Sequence, residues 1–331
     1  MADPVETAFR NLRTDDDYGL MRDIVIAATA ASDAPDTPTV DAVRRWCKPT
    51  DRFDPHVDVA FALAADGATE IGFTRASWYT GKDGIRLYVL ICYLIPCDSR
   101  QAVLARMIRA AEGRLREIAD DHEDAPARAF QAWATPNQSE WIAALESEGY
   151  AIVRNFHNML RPLDVVPAPH PMPEGLQVRP VHGTHYRAIF EAQREVQWEL
   201  FEINAERWLD ANYEDWRSDA SHTPDLWQVA WDGDQVAGMV LPRIPATDDA
   251  QVGPKRGYTE HVFVRKPWRR RGLARALVER CLETLKAHGC TETELGVDAE
   301  NESGAYAFYR KLGFKTFSKD LWLRKDFDIP S

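Results

Sequence analysis

VFVRKPWRRRGLARAL, residues 262–277, is the stretch on which the reading of this chain turns. A strand-like run ends near Val264, Pro267 breaks it, Arg269, Arg270 and Arg271 follow, and an apolar four-residue repeat starts at Leu273. A strand entering a helix through a basic, glycine-containing turn makes an anion cradle. The first helical amides, around Leu273, Ala274 and Arg275, have no partner inside the helix, and its dipole adds about half a positive charge there. Gly272 and Ala274 keep the main chain bare, so a diphosphate can reach it, and the arginines add charge-assisted hydrogen bonds. Taken alone, a basic helix start is more often solvated surface, so the flanking sequence has to decide.

Downstream, Leu273, Leu277, Cys281 and Leu285 recur every four residues, a helix that Gly289 stops. A strand, TELGV, leads to VDAENESGAYAFYRKLGF, residues 297–314. Arg269, Gly272 and Ala274 meet the pattern R/Q-x-x-G-x-G/A, and the second stretch carries an Asn, then a helix bearing Tyr and closing on Gly-Phe. Together, over residues 258–315, these motifs resemble the GNAT acetyltransferase superfamily. The resemblance implies that the main chain of Val262, Phe263 and Val264 runs beside the pantetheine arm of acetyl-CoA and that residues 269–275 hold its diphosphate. It also implies that Asn301 hydrogen-bonds the cofactor and that Tyr309 protonates the departing thiolate. Ala305 and Tyr309, four apart, share one helix face, so a small residue leaves room where the phenol reaches in; a core aromatic is the plainer reading of the same tyrosine.

For a general base, period-two alternation sets Glu260 on the side of Val262 and Val264, where its carboxylate can take a proton through water. Several GNAT relatives place their glutamate two residues earlier, where this chain has Tyr258, so a partly exposed strand carboxylate stays an open reading. His261 points to the other face and reads as structural.

Upstream, LDVVPAPHPMPEG, residues 163–175, has prolines at four alternate positions and reads as a linker. Across it the sequence repeats in order: Leu12-Arg13 with Val178-Arg179, Asp66-Gly67 with Asp232-Gly233, Gly72 with Gly238, Asn137 with Asn301, Ser139 with Ser303, and Gly149-Tyr150 with Gly313-Phe314. The expected fold is therefore mixed α/β: two tandem GNAT-like domains, 1–162 and 176–331, each a mostly antiparallel sheet flanked by helices. Such tandem copies with an active second half resemble the mycothiol synthases in architecture.

The first copy reads as degenerate. Aligning IPCDSRQAVLARM with VRKPWRRRGLARA sets Arg100 on Arg269 but Val103 on Gly272, putting a side chain where phosphate must touch backbone. Trp141 falls on Ala305 and Leu145 on Tyr309, so an indole intrudes and no phenol serves as acid.

Bulk properties narrow the partners. A net charge of −12 disfavours nucleic acid, and 45% hydrophobic with 28% charged residues suits a globular protein. No stretch approaches ~18 uninterrupted apolar residues, and MADPVETAFRNL lacks the layout of a signal peptide, so neither membrane nor secretion is expected. Cys47, Cys92, Cys97, Cys281 and Cys290 form no even framework and read as thiols of a cytoplasmic protein. The expected activity is direct attack by the primary amine of a small molecule on acetyl-CoA, without a metal. An acyl-CoA sensor without turnover, or a peptide or protein N-acetyltransferase, are the alternatives; the oligomeric state is unknown from sequence. EAQREVQWELFEINAERWLDANYEDW, residues 191–216, lies where the family forms the lip of the acceptor site; Glu195, Trp198, Glu199 and Glu202 there suit a cationic amine, although an acidic amphipathic helix with its aromatics inward is the commoner explanation and keeps them out of the expected site.

Overall fold

Glycines at matched places in the repeat do matched work. A Cβ on Gly72 would lie 2.5 Å from the Tyr93 carbonyl oxygen, and one on Gly238 would lie 2.9 Å from that of Phe263. In both copies a strand approaches its neighbour's main chain too closely for any side chain. The computed structural model describes residues 7–30, 37–50, 52–80, 84–122, 127–200, 212–219, 222–245, 255–298 and 304–327.

In chain order the elements are β1 (Phe9–Asn11), α1 (Asp16–Thr29), α2 (Val40–Trp46), α3 (Pro55–Asp58), β2 (Val59–Leu63), β3 (Glu70–Thr80), β4 (Arg86–Leu94), α4 (Arg100–Asp120), β5 (Arg128–Ala134), α5 (Ser139–Ser147) and β6 (Ala151–Pro162). After them come β7 (Gln177–Val178), α6 (Tyr186–Leu200), α7 (Tyr213–Arg217), β8 (Gln228–Asp232), β9 (Gln235–Val240), β10 (Arg256–Tyr258), β11 (Phe263–Val264), α8 (Leu273–Ala287), β12 (Glu292–Asp298), α9 (Ala305–Lys311) and β13 (Lys315–Asp326). The chain divides into two units, Met1–Asn155 with Asp320–Ser331, and Phe156–Lys319.

In the first unit β1, β2, β3 and β4 pair antiparallel in sequence order, β4 pairs parallel with β5, and β5 pairs antiparallel with Leu321–Asp326 of β13. A parallel pair needs a crossover, and α4 supplies it. Its apolar face, Val103, Leu104, Met107, Ile108, Ala111 and Leu115, is buried against Tyr88, Leu90, Phe130 and Leu323. On the opposite side α1 and α2 cover Phe61 and Phe73. β4 is buried over Leu87–Leu90, as befits a strand covered on both faces.

The second unit repeats this order. β7, β8 and β9 pair antiparallel, β11 pairs antiparallel with β9, β10 pairs parallel with β12, and β12 pairs antiparallel with Phe156–Pro162 of β6. The crossover helix is α8, with Leu273, Leu277, Cys281 and Leu285 all in the core, the spacing its sequence predicts. α6 brings Ile189, Phe190 and Val196 to the other face. The mixed α/β fold and the tandem arrangement expected from the repeat are thus both present.

The boundary between units follows strand pairing rather than proline content. The sequence reading put it at 163–175, whereas β6 changes unit after Asn155 and β13 changes back after Lys319. Nor does 163–175 stand off as a tether. Leu163 N donates to Thr291 O at 2.8 Å, Lys286 Nζ to Asp164 O at 2.7 Å and Arg161 Nη2 to Val165 O at 3.2 Å, while Val166 and Met172 pack on the core of the second unit. Prolines exclude this segment from a sheet interior, yet leave its carbonyls available as acceptors.

Burial pushes all five thiols up, Cys47 to about 11 and Cys281 to about 12. Among the described residues, no helix is long and apolar enough to cross a membrane.

Candidate active site

Two strands that run parallel and then part define the site. β10 pairs with β12 from Arg256 to Tyr258, and Thr259 N still donates to Glu294 O at 2.8 Å. Beyond that point the described pairings of this strand go to β9 alone: Leu241 N to Glu260 O at 2.9 Å, then Phe263 opposite Met239 and Val264 opposite Gly238. Among the described strands β11, Phe263–Val264, is thus the edge of the sheet ordered β11-β9-β8-β7, while β10 and β12 pair in the other sheet.

A one-residue register shift sits at the fork. Tyr258 faces Arg243 and Glu260 faces Leu241, but Phe263 faces Met239, so one residue more is used on this strand than on its partner. His261, with φ +50°, absorbs the extra residue. The alternation read from sequence is corrected here: the shift resets the faces, placing Glu260 in register with Phe263 instead of Val262 and Val264. His261 is accordingly the residue that makes the bulge, a role no alternation count reveals.

Glu260 accepts from Arg243 Nη2 at 3.1 Å, and the Arg243 guanidinium lies 4.6 Å from the centroid of the Tyr258 ring. Arg256 bridges Glu292 at 2.7 Å and Glu294 at 2.8 Å. Of these groups Glu294, Arg256, Arg243 and Glu260 act on Tyr258, and its phenol is raised, by burial first and then by the two carboxylates against the two arginines. Tyr258 is thus an aromatic flanked by carboxylates.

At the far end of β11 the chain makes a 3-10 turn, Lys266–Trp268, and buries Trp268, whose Nε1 donates to Asp232 Oδ2 at 2.9 Å. Arg269 Nε reaches back to Val264 O at 2.8 Å and closes the turn. Arg270 then has φ +59° and Gly272 φ +84°. A left-handed residue with a side chain costs about 1–2 kcal/mol, so this loop holds a costly shape. Its result is that the amides of Leu273, Ala274 and Arg275 precede the first intrahelical bond, Ala276 N to Gly272 O, with no side-chain cap over them. A Cβ on Gly272 would meet nothing within 4 Å, so the space beside this turn is open. Bare amides, a helix dipole and open space fit a diphosphate.

Of the arginines expected at the cradle, Arg269 serves the turn, Arg271 Nη2 donates to Glu174 O at 3.0 Å and Arg275 Nε donates to Glu279 Oε1 at 2.9 Å. Arg270 is exposed. Ala305 and Tyr309 lie together on α9 in the core of the second unit. Tyr309 is 7% exposed, and burial, with Cys281 adding to it, raises its phenol. Among the described residues its hydroxyl has no hydrogen-bond partner. Asn301 and Glu202 lie outside the described residues, as do the side chains of Trp198 and Glu199. Glu195 is paired with Arg265 at 2.6 Å.

The first unit shows what the cradle looks like when closed. Arg100 Nη1 binds the carbonyls of Leu94 and Ile95, both at 2.7 Å, as Arg269 binds that of Val264. There α4 begins at Arg100 itself, about one turn earlier in the aligned sequence than α8, and Val103 N already donates to Ser99 O at 3.1 Å. Val103 is buried in the core. Trp141 is buried too, its Nε1 donating to Trp133 O at 2.8 Å, beside Leu145.

Residues 190–314, which span the fork, cradle and α9, match the model of the acetyltransferase (GNAT) family. Acetyltransferase SG1711 of Sodalis glossinidius (strain morsitans) is 33% identical over 105 residues, 32% of this chain and 68% of that protein. The chain belongs to the GNAT acetyltransferase family. Mycothiol acetyltransferase of Streptomyces scabiei (strain 87.22) is 27% identical over 210 residues, 60% of this chain and 62% of that protein. A GCN5-related N-acetyltransferase structure from Sphaerobacter thermophilus superposes with TM-score 0.71 at 24% identity, covering 98% of this chain and 97% of that one. The matches span from 30% to 68% of the length of the curated GNAT relatives.

Proposed function

We propose that this chain transfers an acetyl group from acetyl-CoA to the primary amine of a small molecule, and that only the second unit does so. The observation that carries the reading is the left-handed Gly272 in front of three uncapped amides at the start of α8. Those amides would hold the diphosphate, and the edge of Val262–Val264 would hold the pantetheine arm. Acetyl-CoA, when bound, supplies the thioester. Glu260, at the bulge, takes the proton that the attacking amine loses as its nitrogen bonds the acetyl carbon. Tyr309 gives its proton to the sulfur as the C–S bond breaks. Main-chain amides beside the bulge stabilise the charge that develops on the carbonyl oxygen. The closed first copy supports the scaffold role of its unit.

Titration calorimetry tests the cradle: one equivalent of coenzyme A per chain is expected, and two would remove the distinction between the copies. Tyr309→Phe is expected to lower turnover about 100-fold while leaving coenzyme A affinity within about two-fold. Because its phenol is raised, the acid form persists past the ordinary value of about 10, so no alkaline loss of rate below that pH should be traceable to it. An unchanged rate in Tyr309→Phe would take the acid role away. Glu260→Gln should cost about 100-fold in turnover, again at constant affinity. Turnover measured across small amines and peptide N-termini separates the small-molecule reading from a peptide acetyltransferase, and binding without thiol release from any acceptor would leave only a sensor.

A further inference from the structure

Glu279 is a carboxylate in the wrong place for α8 alone. It lies on the buried side of the helix, its side chain 1% exposed, among leucines and a cysteine. Burying an ionised carboxylate costs several kcal/mol unless it is fully paired, so what it holds explains why it is there. It holds two things. Oε2 accepts from His170 N at 2.7 Å and His170 Nδ1 at 2.8 Å, both on the proline-rich strap, and Oε1 accepts from Arg275 Nε at 2.9 Å. Four residues further along the strap, Glu174 O accepts from Arg271 Nη2 at 3.0 Å.

Arg271 lies just before the left-handed N-cap Gly272 and Arg275 in the first turn of α8; each is bonded to the strap or to the carboxylate that holds it, and the Arg275 side chain is still half exposed. The uncapped amides already suffice for one diphosphate. Two guanidiniums restrained beside them are therefore suited to a second anionic group, and coenzyme A carries one other, the phosphomonoester on its ribose, with about two negative charges at neutral pH. Resting on the coenzyme A reading above, we propose that the strap at 170–174 presets Arg271 and Arg275 to take the ribose 3′-phosphate, with Glu279 as the positioning residue. The connection between the two copies is then a wall of the nucleotide site.

Calorimetry with coenzyme A and with 3′-dephospho-coenzyme A tests this on the full-length protein. The wild type should bind coenzyme A at least about ten-fold more tightly than the dephospho form, the worth of one or two exposed charge-assisted hydrogen bonds. Arg275→Ala and Glu279→Gln should each cut that ratio to about three-fold or less without changing dephospho-coenzyme A affinity more than about two-fold. Arg275→Ala removes an exposed side chain, so it reports even should Glu279→Gln fold poorly. Equal affinity of the wild type for the two ligands overturns the inference and leaves the coenzyme A reading standing. Loss of both affinities in parallel in Glu279→Gln, with the Arg275→Ala ratio unchanged, overturns the positioning role. Failure of the wild type to bind either ligand overturns the coenzyme A reading and this inference with it.

Discussion

Lys325→Met is expected to destabilise the first unit by about 3–5 kcal/mol, the largest effect of any single substitution considered for this chain. Lys325 Nζ lies 2.9 and 3.0 Å from the two oxygens of Glu112, both side chains are 1% exposed, and Tyr150 Oη donates to Glu112 Oε1 at 2.9 Å. Burial, and then the charge of Glu112, raise the Tyr150 phenol well above its ordinary range, so the hydroxyl stays a donor. Removing the ammonium strands a carboxylate in the interior beneath α4. Because that residual charge is the cause, Glu112→Leu/Lys325→Met should recover most of the loss, and adding Tyr150→Phe should recover the rest by removing an orphaned hydroxyl. Guanidinium unfolding of the four proteins, followed by two probes because two units need not unfold together, measures this. A loss under about 1 kcal/mol in Lys325→Met would show that the pair is dispensable.

Gly272→Val is expected to weaken coenzyme A binding about 30- to 100-fold while moving the melting temperature only slightly. The side chain would meet nothing in the protein, so packing is not at issue. What changes is that φ +84° becomes unfavourable by about 1–2 kcal/mol, more for a β-branched residue, and that a methyl group enters the open space beside the turn. Gly272→Ala should lie between wild type and valine. The converse change, Val103→Gly, should create no second site, because α4 already consumes the equivalent amides one turn earlier. Wild-type affinity in Gly272→Val would place the diphosphate elsewhere.

Much of this architecture is legible in the sequence, and the reasons differ by element. The repeat was visible because glycines at Gly72 and Gly238 answer a steric demand that no other residue meets. The α8 face was visible because helical periodicity and burial coincide at Leu273, Leu277, Cys281 and Leu285. Alternation sets Glu260 on the side of Val262 and Val264, whereas the bulge at His261, which leaves no trace in an alternation count, sets it with Phe263. Prolines at 163–175 suggested a tether, since a sequence shows that a segment cannot donate and not that its carbonyls are accepted by others. Arg271 and Arg275 were legible as cations, whereas their partners, Glu174 and Glu279, are set by packing across the strap.

The placement of β13 bears on how the molecule comes into being. A ribosome delivers residues 1–155 long before Asp320–Asp326, yet the first unit takes its closing strand and Lys325 from that late segment. Until it arrives, β5 lacks its antiparallel neighbour and Glu112 lacks Lys325. The half of the chain made first is therefore the half completed last, and until then the β5 edge has backbone donors and acceptors open to pairing with another strand.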